Sequence, residues 1–235
     1  MVDYNTAGDG AGIYKTGSGS GYLQGGKIYS NTASGYGGGL FIGGSGSFSM
    51  SSGYLGATSA SSTASSSSCS NKAGVTGGGF CHYGTGVVSI TGGYILYNAA
   101  SVYGGGFATW DPSARVNMTG GKVSYNVQYT SGNNTYVGGK SLGNGGGGFA
   151  VVKGKVRIGS GATITYNKGS MGGAGGTCAQ SSAYIAVTGS PTISNNTGSY
   201  SNKILISSNS YKYNGSGAST SYYSYGGNTT KTSWW

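Results

Sequence analysis

Residues Lys27–Phe41 read "KIYSNTASGYGGGLF", and residues Tyr94–Phe107 read "YILYNAASVYGGGF". Both run in one order: an aliphatic residue, Asn three places on, a short polar turn, three consecutive Gly, then an apolar residue. A chain that writes such a string twice is built from stacked copies of one small unit, because a unit this short buries its apolar face only against a neighbour.

The aliphatic-to-Asn spacing recurs in Val2 and Asn5, Ile28 and Asn31, Ile95 and Asn98, Val123 and Asn126, Ile164 and Asn167, and Ile193 and Asn196. A Gly cluster then leads into an apolar pair, as at Ile13 and Tyr14, Leu40 and Phe41, Phe80 and Cys81, Phe107 and Ala108, and Phe149 and Ala150. An alternating segment closes the unit. In it Phe48 and Met50, Val88 and Ile90, Val116 and Met118, Val156 and Ile158, and Ile185 and Val187 share one side of their strands.

The lead aliphatic residues stand at 2, 28, 55, 95, 123, 164 and 193, giving intervals of 26, 27, 40, 28, 41 and 29. Four intervals share one period, and two carry extra residues, read as loop insertions at Ser59–Ser70 and Val127–Asn144 between the Asn turn and the Gly cluster. A period of this length holds three short strands. The expected fold is therefore all-β, a right-handed parallel β-helix of about seven coils stacked about 4.8 Å apart. Residues 1–200 form this solenoid, and the Tyr- and Ser-rich segment 201–235, closing on Trp234 and Trp235, is a cap or a docking segment.

Each repeated residue type then has a role. Aliphatic and aromatic residues stack as the core, and Gly turns the corners. Asn adopts the left-handed conformation while its amide bonds neighbouring backbone. Asn5, Asn31, Asn98, Asn126, Asn167 and Asn196 are expected to form a ladder, broken in the second unit, where Leu55 is followed by Gly56, Ala57 and Thr58.

The pairing of an apolar-x-x-Asn segment with a downstream Gly-Gly-x-aliphatic segment resembles the repeats of chlamydial polymorphic outer-membrane proteins and related bacterial surface adhesins. The resemblance spans about residues 1–197 and implies a pectin-lyase-like right-handed β-helix, displayed at the cell surface and active in adhesion. This chain differs in using Ile or Val where that family commonly has Phe, in its third Gly, and in having no membrane-barrel segment.

Composition narrows the chemistry. The chain has 52 Gly, 21 Tyr and only 7% charged residues, with a net charge of +10. Its acids are Asp3, Asp9 and Asp111, with no Glu. Scattered basic residues favour anionic surfaces in general without forming a nucleic-acid module, so no nucleic-acid partner is expected. No run of about 18 apolar residues is present, and no charged-then-apolar leader follows Met1, so neither a membrane-spanning segment nor a secretory signal is read. The opening "MVDYN" already fits the repeat, as in a processed or excised piece.

Glycoside hydrolysis takes two carboxyl groups flanking the bond. Asp3 and Asp9 lie near the start and Asp111 stands before Pro112 far along the chain, so no carboxylate pair is expected. Lyase chemistry needs a base and a cation; Arg115, Arg157, Lys153 and Lys155 offer charge, but no acidic cluster would hold a metal. Lys153, Lys155 and Arg157 read as a solvated outward row, or as a weak anion-binding strip. His82, the single histidine, lacks a second ligand or an orienting carboxylate. The Gly clusters lack the context of a phosphate loop. No cofactor is expected, and the chain reads as non-enzymatic.

Surface remains. Tyr14, Phe41, Cys81, Ala108, Ala150 and Cys178 are expected to face outward as a candidate lateral interface, unless a neighbouring loop covers them. Tyr4, Tyr97, Tyr125 and Tyr166, each just before its Asn, form a second column that stabilises the sheet or stacks on a partner. Cys69 and Cys81 flank one loop as a candidate disulfide, leaving Cys178, unless all three are inert thiols. Sequons start at Asn117, Asn133, Asn195, Asn214 and Asn228 as candidate glycosylation sites. The first unit exposes a sheet edge that invites pairing.

The reading that follows is an extracellular or cell-surface structural and adhesive protein: a filament subunit that self-associates head to tail, or an adhesin passenger with a glycan or host-surface ligand. A polysaccharide-binding or polysaccharide-cleaving β-helix is the alternative. Ice binding would need a regular row of Thr along one face, and the strands lack one.

Overall fold

A computed structural model describes residues 1–58, 70–129, 145–169, 175–178, 183–198, 204–206, 211–214, 222–224 and 229–230. The described residues are all strand, turn and loop, with no helix among them. The strands pair in parallel and build three sheets.

The chain visits these sheets in a fixed cyclic order. Val2–Asp3 enters the first sheet, Thr6–Ala7 the second and Ile13–Lys15 the third. Gly21–Tyr29 then returns to the first sheet beside Val2–Asp3, and Thr32–Ala33 and Leu40–Ile42 follow in the second and third. Each strand pairs with its counterpart one repeat on, an arrangement compatible with a solenoid. Beyond residue 200, Ile204–Ile206 and Tyr222–Ser224 extend the third sheet, and Tyr211–Asn214 and Thr229–Thr230 extend the first. Part of the tail segment thus carries two sheets onward; Trp234 and Trp235 lie outside the described residues.

Register puts like on like. Val2 pairs with Ile28, Ile28 with Leu55, Leu55 with Ile95, Ile95 with Val123, Val123 with Ile164, and Ile164 with Ile193. Met50, Ile90, Met118, Ile158 and Val187 make a parallel buried column in the same sheet. On the third sheet Phe80, Phe107 and Phe149 stack with ring centroids 4.9 and 5.2 Å apart. Gly176 takes the next place, where a Cβ would collide with the Phe149 ring. These columns fuse into one apolar core. Burial of each such side chain contributes about 1.5–3 kcal/mol.

The three-Gly run positions the core from outside. Its first member, as Gly37, Gly77 or Gly104, has φ of 64°, 70° or 60°, open to Gly at no steric cost. The third lets adjacent repeats touch through backbone alone: a Cβ on Gly79 would collide with Gly106 O.

The Asn ladder has one rung more than expected. Asn5, Asn31, Asn71, Asn98, Asn126, Asn167 and Asn196 form a continuous series, each Nδ2 donating to the Oδ1 of the next at 2.8–3.1 Å. The expected break does not occur, because Asn71 resumes the series after the insertion. Its signal was Ser70-Asn71-Lys72-Ala73 set against Ser30-Asn31-Thr32-Ala33, and the two tetrads lie in register.

The insertions also enter at different points. The first falls ahead of its Asn and ahead of Lys72–Ala73, whereas Val127–Gln128 is still a strand of the second sheet, so the second begins later than Val127. Residues 59–69 and 130–144 lie outside the described set.

The ladder yields a stability prediction. Asn126 is buried, its Oδ1 accepts from Asn98 N and Nδ2, and its Nδ2 donates to Ile95 O and Asn167 Oδ1. Asn126→Ala orphans several of these groups and is expected to cost about 2–5 kcal/mol, against under about 1 kcal/mol for the exposed Asn5→Ala, measured by urea unfolding. Equal losses at the two positions would contradict the ladder's role.

Candidate functional site

The corner that carries the ladder is built differently from expectation. The left-handed residue is the one before the Asn: Tyr4, Ser30, Tyr97, Tyr125, Tyr166 and Asn195 all have φ of 55–57°. For a non-Gly residue this conformation costs roughly 1–2 kcal/mol. Two contacts offset it. The following Asn is locked by the ladder, and the Tyr rings stack, Tyr97 on Tyr125 at 4.8 Å and Tyr125 on Tyr166 at 5.1 Å, both pairs nearly parallel. Burial, then the neighbouring Tyr125, raises the Tyr97 hydroxyl pKa. Tyr4 instead meets Tyr29 edge-on at 6.2 Å. Rings stacked this closely spend their faces on one another.

The expected lateral interface is not an open column. Tyr14 is 58% exposed, but Phe41, Cys81, Ala108 and Ala150 are buried. Ala108 and Ala150 cluster with Tyr103 and Val152, and Val102 and Trp110 pack over them. The cover comes from Val102 and Tyr103, in the turn before Gly104, and from Trp110. Cys178 does not belong to this column at all, since its backbone pairs with Val151, whereas Cys81 aligns with Phe41 and Ala108.

Cys81 is a free, buried thiol, so the candidate bond to Cys69 is absent; Cys69 itself lies outside the described residues. Burial, with the charge of Asp9 beside it, pushes the Cys81 pKa far up and keeps the sulfur a thiol. Its neighbour His82 points the other way, into the core column of Ile42 and Thr109. Nε2 lies 2.8 Å from Gly86 O and Nδ1 3.3 Å from Ile42 O. The shorter contact assigns the single proton of the neutral ring to Nε2, which donates to Gly86 O. Burial lowers the His82 pKa, reinforced by Lys15 and opposed by the two carbonyls and Asp111.

The acids hold local structure. Asp9 Oδ1 accepts from Tyr36 N at 2.7 Å, and Asp111 Oδ1 accepts from Ser113 N at 2.7 Å. On the first sheet Arg115 pairs with Lys155 and Asn117 with Arg157. Lys155 Nζ lies 5.8 Å from the Tyr184 ring centre, and Arg157 Nε donates to Thr188 Oγ1. Lys153 sits ahead of that strand, outside the regular alternation.

Among the sequons, Asn117 lies inside Arg115–Met118 with its Oδ1 buried and without a hydrogen-bond partner, a poor site for a glycan on the folded chain. Asn195 is exposed at a left-handed corner, and Asn214 ends the strand Tyr211–Asn214. Asn133 and Asn228 lie outside the described residues.

One grouping escaped the sequence reading. Tyr14 stacks on Phe41 at 4.8 Å, Phe41 meets Tyr83 at 6.1 Å, Tyr83 meets Tyr36 at 6.1 Å, Tyr36 meets Trp110 at 5.5 Å, and Trp110 meets Tyr103 at 5.7 Å. Tyr14 and Phe41 share the outward column expected from the Gly-cluster pairs, whereas Tyr36, Tyr83, Tyr103 and Trp110 lie outside it. The available signal was the shared Tyr-Gly-Gly-Gly of Tyr36 and Tyr103, whose backbones each bridge to Thr76.

His82 sets a pH dependence with a definite sign. Its folded pKa lies below the ordinary 6.5, so the unfolded chain takes up the proton first. The stability tied to its neutral ring is present above pH 6.5 and is lost as pH falls below it. The urea midpoint is expected to drop between pH 7.5 and pH 5, and His82→Gln should flatten that drop. Cys81 should react with iodoacetamide at least about a hundredfold more slowly in the native chain than in urea, as its burial requires; comparable rates would contradict a sealed thiol.

Among the described residues no helix is long and apolar enough to cross a membrane. The chain matches no protein-family model, and it is similar to none of the curated proteins or solved structures with which it was compared.

Proposed function

We propose that the chain is a right-handed parallel β-helix of about seven coils that works as a non-enzymatic, extracellular structural and adhesive module. The coil number follows the seven registered lead residues Val2, Ile28, Leu55, Ile95, Val123, Ile164 and Ile193. The hand follows the general preference of parallel crossovers. In this reading the module is a surface filament subunit joining head to tail, or an adhesin passenger.

The observation that carries the assembly reading is the first coil. Among the described residues, Val2–Asp3, Thr6–Ala7 and Ile13–Lys15 are each paired on one side only. Met1, Tyr4, Ile13 and Tyr14 are exposed there, and the Nζ of Lys15 is buried without a hydrogen-bond partner. Unpaired parallel edges beside apolar surface suit a further coil, whether from chain ahead of residue 1 or, in a filament, from a second copy. The ladder is polar in the same sense, since at every step the later Asn's Oδ1 accepts, and Asn5 presents its own Oδ1 outward at this end.

The non-enzymatic reading rests on the roles of the acids. Asp9 and Asp111 each hold a backbone N–H in a turn. Glycan binding is the second reading, favoured by the aromatic grouping around Tyr36.

Negative-stain electron microscopy of the purified chain at neutral pH, with particle mass measured alongside, tests the assembly. Filaments with an axial repeat of roughly 34–38 Å, seven to eight strand spacings of about 4.8 Å, are expected, since the third sheet stacks eight strands. Discrete monomers at all concentrations would overturn the filament arm and leave the adhesive one.

A further inference from the structure

We propose that the aromatic grouping on the outer side of the third sheet, Tyr14, Phe41, Tyr83, Tyr36 and Trp110, is a binding platform for neutral polysaccharide. It deepens the adhesive arm of the proposed function, on which it rests for its biological use.

The platform is continuous and open. Its ring contacts run unbroken from Tyr14 to Trp110, at 4.8, 6.1, 6.1 and 5.5 Å. Phe41 is its buried base, while Tyr14 is 58% and Tyr83 43% exposed, and Tyr36 and Trp110 are half-buried. Tyr14 lies within 5° of parallel to Phe41 and gives it one face, and Phe41 lies 24° from Tyr83; the Tyr36 ring is inclined 56° to Tyr83 and 60° to Trp110, so at that end the rings do not close over one another. In the column Tyr97, Tyr125, Tyr166 each successive pair lies within 6° of parallel, so Tyr125 is stacked on both faces, whereas among the platform's contacts Tyr14 is stacked only on Phe41. Rigid aromatic rings with hydroxyl tips supply contact area at low entropic cost.

Charge selects the ligand. The chain carries 13 basic residues and three acids, and two of the acids border this platform. Asp9 accepts from the backbone of Tyr36, and Asp111 directly follows Trp110. Asp9 also acts electrostatically on Tyr36 and Cys81, which places its charge beside the rings. Arg115, Lys155 and Arg157 lie instead on the first sheet, and Lys15, which follows Tyr14 on the third, has its Nζ buried. Carboxylates accept hydrogen bonds from sugar hydroxyls and repel polyanions, while ring faces take the C–H faces of pyranoses. The combination fits an uncharged hexose or pentose polymer and disfavours an acidic one.

Affinity gel electrophoresis provides the test, with a soluble β-glucan, a galactomannan and an arabinoxylan in separate gels and alginate as the acidic contrast. Retardation is expected in at least one neutral gel. Tyr14→Ala and Tyr83→Ala should each weaken it at least about fivefold, and Arg157→Ala should leave it unchanged. Thermal melting of each variant accompanies the gels; if Tyr83→Ala lowers the midpoint, the more exposed Tyr14→Ala carries the comparison. No retardation by any neutral polymer would overturn the proposal, as would retardation that survives Tyr14→Ala, or retardation by alginate alone that Arg157→Ala abolishes. Particle mass on the same samples separates this outcome from a failure of assembly.

Discussion

The structure depends on the buried side-chain amide. A primary amide left unpaired in an apolar interior costs several kcal/mol, yet here one is buried in nearly every repeat. It is tolerated because each amide is matched by its neighbours above and below. In Asn98, Nδ2 donates to Leu55 O and to Asn126 Oδ1, while Oδ1 accepts from Asn71 Nδ2. Such matching is possible at only one register, because a shift of one residue would put each amide opposite a flanking residue, such as Tyr97 or Lys168, in place of the next ladder Asn. The ladder thereby fixes how repeats stack, and the apolar columns of all three sheets inherit that alignment.

Two unusual features of the chain follow from this constraint. The corner must turn sharply to aim the Asn side chain inward, so the residue before it is forced into the left-handed region even when it is Tyr. Tyr is a costly choice for that backbone but a good one for the stack, since three rings in succession recover part of the strain. The scarcity of charge has the same origin. A fold whose repeats meet through Gly backbone, Asn amides and aliphatic columns needs no ion pairs for its register, and like charges would repel across strands that bring equivalent residues together. Arg115 and Lys155, which do meet in register, stand near the edge of that tolerance.

The all-β stacking of parallel strands was legible because every repeat restates it. Aliphatic-x-x-Asn, the Gly run and the alternating segment carry the columns directly, and their spacing located the strands. Asn71 was missed for a positional reason: spacing was counted from the lead aliphatic residue, and the insertion separates Leu55 from its Asn. Reading Ser70-Asn71-Lys72-Ala73 against Ser30-Asn31-Thr32-Ala33 restores it. The misplacement of Cys178 has the opposite cause, since Gly176 substitutes for an aromatic at the Phe149 position and moves the apparent apolar pair by one residue. The left-handed role of Tyr was hidden by a propensity rule that favours Asn, which the tertiary demand for an inward amide overrides.

What the repeats do not encode is the surface they present, because ligand contact needs departures from the repeat. Trp110 illustrates this. Its strand neighbours at Phe107–Thr109 are ordinary members of the third sheet, yet the residue after them reaches across to Tyr36, two repeats earlier, and to Tyr103 in its own. That reach roofs the small residues Ala108 and Ala150, converting an expected open stripe into a covered one. The same reach joins Trp110 to an aromatic group that runs through Tyr36, a ring tilted to both its neighbours, to Tyr83, Phe41 and the exposed Tyr14. Regular columns are thus consumed in holding one repeat on the next in the stacked parallel sheets, and the irregular residues are the ones left at the surface. Asp9 and Asp111 belong to that irregular set, which is why acids so scarce in the chain stand beside these rings and not along the repeated strands.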